Sequence, residues 1–154
     1  MGGSQDRGAM LRRVMVEHLK ADRGLADPRI EAALLEVPRH VFLPGAGLAA
    51  AYADEAVVTR YKDGLPASSA SQPAIVAAML GQLSPPAGGC VLEVGAGTGY
   101  NAALLSALVG PSGRVVTVEI DPEVAGEAER HLSEADVTNV EVICGDGAAG
   151  WPAG

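Results

Sequence analysis

Three glycines at alternate positions, Gly95, Gly97 and Gly99, stand directly behind a short apolar run and constrain this chain more than any other stretch. The run Cys90-Val91-Leu92-Glu93-Val94 has the length of a buried strand, and residues 101–109 behind the turn carry the apolar pattern of a helix. Strand, tight turn and helix start therefore follow one another. Glycines suit such a turn because the backbone must bend sharply and let a ligand approach without a Cβ in the way. The helix behind it begins with unpaired N–H groups. This pattern marks a ligand site.

Charge narrows the ligand. A dinucleotide fingerprint reads G-x-G-x-x-G, its third glycine allowing close packing of helix on strand. Counted from Gly95, that place holds Tyr100, and Gly99 comes one residue early. Glu93 stands just before the turn, inside an apolar strand, where an unpaired carboxylate is costly. Val115-Val116-Thr117-Val118-Glu119-Ile120-Asp121 reads as the next strand, and Glu119 falls about 20 residues past the turn, where a ribose-binding acid belongs. Val140-Glu141-Val142-Ile143-Cys144 reads as a third strand, running into Gly145-Asp146-Gly147. Ligands of open α/β sheets bind beyond the carboxyl ends of the strands. Glu93, Glu119 and Asp146 on that rim would repel a pyrophosphate and suit a cationic nucleoside. S-adenosyl-L-methionine, with an ammonium and a sulfonium, is one.

Composition excludes more than it identifies. With 154 residues, 48% of them apolar, the chain can bury a real core. A net charge of −8 argues against a nucleic-acid or anionic-membrane binder. No apolar run approaches the ~18 residues of a membrane span, and no targeting segment is evident. Cys90 and Cys144 fall in separate strands without metal-ligand spacing, so they read as reduced core residues of a cytoplasmic protein, and no metal is expected.

Along the chain, residues 1–9 read as a flexible tail and residues 10–20 as a helix with a stripe of Leu11, Val14, Met15 and Leu19. Asp27-Pro28 opens a second helix as N-cap and first residue, and Pro38 ends it. Arg39 and His40 read as structural, and His131, on a polar helix, as solvated. Residues 46–51 suggest a short helix, 57–59 a short strand and 60–66 a polar loop. Asp54 fits a turn cap or the edge of a substrate opening. Ser71 precedes Gln72-Pro73 and a helix over 74–83, where it serves either as N-cap or as a functional hydroxyl. Ser84-Pro85-Pro86-Ala87-Gly88-Gly89 is a linker, which divides the chain into an N-terminal helical and substrate-loop part, 10–84, and a Rossmann-like part, 85–154.

Residues 91–100, 115–121 and 145–151 resemble the cofactor motifs of class I methyltransferases. Val37-Pro38-Arg39-His40-Val41-Phe42-Leu43-Pro44, Ala51-Tyr52-Ala53-Asp54, Ser68-Ser69-Ala70-Ser71-Gln72-Pro73 and Gly150-Trp151-Pro152 resemble one branch, the protein-L-isoaspartate O-methyltransferases. The resemblance covers residue 10 to the end. It implies an α/β, Rossmann-like sheet with N-terminal helices that frame a substrate entrance. It also implies methylation of an isoaspartyl or aspartyl carboxylate in a protein or peptide, with S-adenosyl-L-methionine as cofactor and no nucleic-acid or membrane partner. In that family the serine motif reads Thr-Ile-Ser and its serine is the active-site hydroxyl. Here Ser69 takes the threonine's place and Ser71 matches, so Ser71 and Ser69 are the implied catalytic pair. The implied cofactor contacts are Glu93, Gly95, Ala96, Gly97, Thr98, Glu119, Ile120, Asp146 and Gly147.

The chain departs from the pattern in two respects. Ala74 follows Pro73 where some members have histidine, and the serine stretch also resembles relatives that methylate aspartate in a maturing peptide. Repair and deliberate installation of isoaspartate both stay open. Only three core strands are visible where the family has seven, so the chain reads as a fragment truncated after the third. By family order the glycine-turn strand then keeps an unpaired edge, and self-association through that edge is expected. A non-catalytic cofactor-binding or interaction fragment of the same fold is the alternative; a nicotinamide-dependent dehydrogenase is disfavoured by Tyr100 and Glu93.

Overall fold

The structure, a computed structural model, describes residues 2–151. The chain divides into two compact units, Met1–Ser84 and Pro85–Gly154.

The first unit opens with α1, Gly2–Arg23. This helix takes in residues 2–9, where the glycine-rich sequence reads as a tail. Part of the reason is tertiary: Gly8 faces the His40 ring so closely that a Cβ would lie 3.1 Å from Cε1, and packing overrides weak propensity. α2, Pro28–Glu36, starts as the sequence predicts, with the Asp27 carboxylate accepting from Arg29 N at 2.8 Å and Pro28 in the first turn. It buries Ile30, Ala33 and Leu34. A 3-10 turn, Arg39–Phe42, and a short helix α3, Leu48–Ala51, follow.

Next come two antiparallel strands, β1 (Val57–Lys62) and β2 (Leu65–Ala70). They replace the loop expected over 60–66. Their connection is Asp63-Gly64, with φ of 52° and 78°. Positive φ at both central residues is the requirement of the tight hairpin turn that Asp-Gly favours. α4, Pro73–Leu83, ends at Ser84 in a left-handed conformation, φ 42°. Leu19, Leu34, Phe42 and Leu80 form the centre of this unit's core.

The second unit alternates strand and helix: β3 (Cys90–Val94), α5 (Tyr100–Val109), β4 (Arg114–Glu119), α6 (Pro122–Glu134) and β5 (Val140–Cys144). The strands are parallel in the order β3-β4-β5, with Glu93 beside Thr117 and Glu119 beside Cys144. The central run Val115-Val116-Thr117-Val118 is buried throughout, as the middle strand of a parallel sheet should be. α5 and α6 pack on the sheet and on each other. This is the Rossmann-like α/β arrangement that the glycine turn implies. β3 has no strand partner on its outer side among the described residues.

Cys90 and Cys144 are free but exposed at strand ends, not core residues as expected. Each occupies a terminal strand position where the sheet offers no cover. Of the Gly150-Trp151-Pro152 stretch, Pro152 lies outside the described residues.

Candidate functional site

The turn behind β3 is held at each glycine amide. Gly95 N–H donates to Val118 O at 2.7 Å, Gly97 N–H to Glu119 Oε2 at 3.1 Å, and Gly99 N–H to Ala96 O at 2.9 Å. Gly97 and Gly99 have φ of 53° and 88°, which an L side chain resists. The two glycines differ in surroundings. A Cβ on Gly97 would meet nothing within 4 Å, whereas one on Gly99 would come 3.3 Å from the Ala128 carbonyl oxygen. Gly97 leaves room above the turn; Gly99 lets the turn lie against α6.

Two acids meet at this turn. Glu119, at the end of β4, reaches back to Gly97 with one oxygen and accepts from Asp121 N at 3.2 Å with the other. Glu93, at the penultimate position of β3, escapes the cost of an unpaired carboxylate in an apolar strand through two protein partners. Thr117 Oγ1 donates to its Oε2 at 2.5 Å and Asn101 Nδ2 to its Oε1 at 2.8 Å. Burial pushes the Glu93 carboxyl above the ordinary carboxylate range, against the pull of the Thr117 and Asn101 hydrogen bonds; the nearby Glu119 charge raises it further. Asn101 Oδ1 is buried beside it with no hydrogen-bond partner among the described residues.

The third strand end joins the same rim. Gly147 lies against β3, close enough that a Cβ there would fall 2.3 Å from Val94 Cγ1. Asp146 itself is exposed and accepts from Ala148 N at 2.9 Å, capping a 3-10 turn, Gly147–Ala149. Ile120 stands beside Glu119 with 71% of its surface exposed, while Ala96 is buried beneath the turn.

Sequence reasoning misses three residues here. Thr117 and Asn101 hold Glu93, and His131 is buried, not solvated, with Nδ1 bonded to Thr98 O at 2.9 Å. His131 follows Val124 and Ala128 at helical spacing, so its place on the apolar face could have been read from the stripe.

In the first unit, Ser69 pairs opposite Val58 in β2 and is exposed; Ser71, two residues on, is exposed as well. An extended chain turns such neighbours to one face. Ser71 is not the N-cap of α4: that position belongs to Gln72, which makes no side-chain cap bond. The cap comes instead from Asp54, which accepts from Ala74 N at 2.9 Å, Gln72 Nε2 at 3.1 Å and Arg23 Nε at 2.9 Å. Arg39, fully buried, donates to Ala51 O at 2.8 Å and to Ser71 O at 3.0 Å. The serine segment is thus fixed through its backbone, leaving its hydroxyls uncommitted to capping. A separate cavity of about 260 Å³, between Leu19, Ile30, Ala74 and Ala77, is not lined by either serine.

The rim in the second unit fits a hydroxyl- and ammonium-bearing ligand. Glu93, Glu119 and the Asn101 carbonyl are acceptors, Gly97 leaves open space, and a phosphate would face carboxylates.

Residues 10–154 match the family model described as Protein-L-isoaspartate(D-aspartate) O-methyltransferase (PCMT). The chain is 44% identical over 141 residues to the protein-L-isoaspartate O-methyltransferase of Methanoregula boonei, covering 92% of this chain and 61% of that protein. A solved protein-L-isoaspartate O-methyltransferase matches with a TM-score of 0.82 and 39% identity, over 92% of this chain and 44% of that one. A Plasmodium falciparum protein described as a beta-aspartate methyltransferase, in complex with S-adenosyl-L-homocysteine, shares the fold at a TM-score of 0.70 and 19% identity, over 86% of this chain and 62% of that one. The chain spans about three fifths of the length of the curated relatives it matches, 61% and 60% for the first two.

Proposed function

The chain belongs to the protein-L-isoaspartate(D-aspartate) O-methyltransferase family, and we propose that it carries the cofactor-binding turn and the substrate serines of an S-adenosyl-L-methionine-dependent carboxyl O-methyltransferase. Its substrate is an isoaspartyl or aspartyl carboxylate in a protein or peptide. The observation that carries this reading is the Glu119 carboxylate held at the glycine turn by Gly97 N–H. From there it can exchange a backbone donor for the hydroxyls of a ribose.

When bound, the cofactor supplies an electrophilic methyl on sulfur. The chain's own part is placement. Gly95, Ala96, Gly97 and Thr98 line the methionine end, Glu93 and Asn101 offer acceptors to the ammonium, Ile120 borders the base, and Asp146, followed by Gly147, takes the adenine amine. Ser69 and Ser71 hydrogen-bond the substrate carboxylate and aim one oxygen. A carboxyl with a pKa near 4 is already ionised at neutral pH, so no general base is needed. Orientation alone can contribute roughly 7–11 kcal/mol in well-placed systems. A methyl ester serves either repair of isoaspartate, on its α-carboxyl, or installation, on the aspartyl β-carboxyl. The following backbone nitrogen attacks the ester carbonyl, methanol leaves with the nitrogen's proton, and water opens the resulting succinimide to aspartate or isoaspartate.

A second reading is a fragment that binds cofactor without turnover. The open side of β3 supports self-association by strand pairing. No helix among the described residues is long and apolar enough to cross a membrane.

Calorimetry with S-adenosylhomocysteine and with NAD tests the cofactor, and radiolabelled methyl transfer to isoaspartyl and aspartyl peptides tests the reaction. Binding of the first ligand only, with transfer lost in Ser71→Ala, is the expected result. Transfer that survives Ser71→Ala overturns the catalytic assignment, and binding of NAD alone overturns the cofactor.

A further inference from the structure

We propose that His131 is a positioning residue for the glycine turn, holding it in its binding shape before any ligand arrives. This rests on the cofactor-binding reading above. His131 lies in the last turn of α6, 6% exposed, with Nδ1 2.9 Å from the Thr98 carbonyl oxygen. A carbonyl only accepts, so the proton must sit on Nδ1. Ala128, His131 and Leu132 share one helical face, and the same face touches the turn where a Cβ on Gly99 would meet Ala128 O and Leu132 Cγ, each at 3.3 Å. α6 is therefore the bed on which the turn rests, and His131 is the polar tie between them.

The tie has a property that the Glu119 tie lacks. Gly97 is held by Glu119, the same carboxylate assigned to the ligand. Once Glu119 turns to ribose hydroxyls, that tie is given up. The His131 bond uses no ligand-contacting side chain, so it persists in both states and keeps the turn from having to order on binding, which is where preorganisation gains affinity.

The test uses the full chain and two variants. His131→Asn keeps an N–H donor where Nδ1–H stands; His131→Leu keeps apolar bulk and removes the donor. Their unfolding midpoints, S-adenosylhomocysteine affinities by calorimetry and amide exchange of Gly97 and Gly99 without ligand are compared, together with the imidazole tautomer of the parent by nitrogen NMR. The expected result is an Nδ1–H tautomer, near-parental affinity in His131→Asn, and affinity about tenfold weaker in His131→Leu. Exchange at Gly97 and Gly99 should quicken in His131→Leu alone. Equal affinity in all three chains, equal losses in both variants, or an Nε2–H tautomer overturns the proposal. If the parent binds no S-adenosylhomocysteine, the cofactor reading fails, and the exchange rates of the free chains still decide whether His131 holds the turn.

Discussion

Replacing Thr117 by valine tests how the buried acid beneath the turn is supported. Thr117 is 0% exposed and donates to Glu93 Oε2 at 2.5 Å. Valine has nearly the same shape, so the change opens no cavity and removes one hydrogen bond. A bond to a charged group contributes about 1.5–3 kcal/mol, and a neutral one about 1 kcal/mol. The cost must therefore depend on the protonation of Glu93. Burial, only partly offset by Thr117 and Asn101, holds this carboxyl above its ordinary value of 4.5. A group raised on folding stabilises the fold in its protonated form. That contribution is complete below the unfolded pKa and is lost as pH rises through the folded one. Thr117→Val removes a donor that favours the ionised form, so it raises the carboxyl further and steepens the loss toward alkaline pH. Urea unfolding of parent and variant from pH 4.5 to 8.5 should show a cost of about 1 kcal/mol at the acid end, growing to about 2–3 kcal/mol at the alkaline end. Thr117→Ser keeps the hydroxyl and should show a smaller cost, flat with pH. A Thr117→Val cost that is the same at both ends, or absent, would refute the reasoning.

Three further outcomes can be measured. Gly99→Ala must place a Cβ at φ 88° and 3.3 Å from the Ala128 carbonyl; a loss of about 1–2 kcal/mol in unfolding free energy is expected, with weakened S-adenosylhomocysteine binding. Burial alone would raise the Asp54 carboxyl, but Ala74 N–H, Gln72 and Arg23 outweigh it and hold it below its ordinary value of 3.8. Its contribution is present above that value and lost as pH falls through the folded one, so Asp54→Asn should flatten the acid limb of the stability curve seen by circular dichroism. Self-association through β3 should appear in light scattering as a concentration-dependent mass, and Leu92→Lys, at a strand position 45% exposed, should suppress it.

The second unit was largely legible because its signals are local. An apolar run, alternate glycines and a following amphipathic stretch define β3 and α5 without help from the rest of the chain. What escapes is what depends on register. Glu93 looks unsupported in sequence, and only the parallel pairing that sets Glu93 beside Thr117 supplies its donor. His131 sits among Glu127, Glu129, Arg130 and Glu134, and that charge masks the apolar stripe on which it falls. In the first unit, Arg60-Tyr61-Lys62 is polar enough to pass for a loop, although Asp63-Gly64 between the two strands is a hairpin signal in its own right. The candidate rim was readable as three acids at three strand ends. That one of them is backed by an asparagine and a threonine, and another tied to the turn's own backbone, required the packed sheet.

The two exposed thiols give the second unit a built-in optical reporter. Cys144 closes β5 beside Glu119, at the rim, whereas Cys90 opens β3 at the opposite end of the sheet. A small thiol-reactive fluorophore on Cys144 would sense whatever settles among the acids, and one on Cys90 would serve as a silent internal reference. Ligand capture could then be followed in real time, one chain at a time, without touching a residue of the turn.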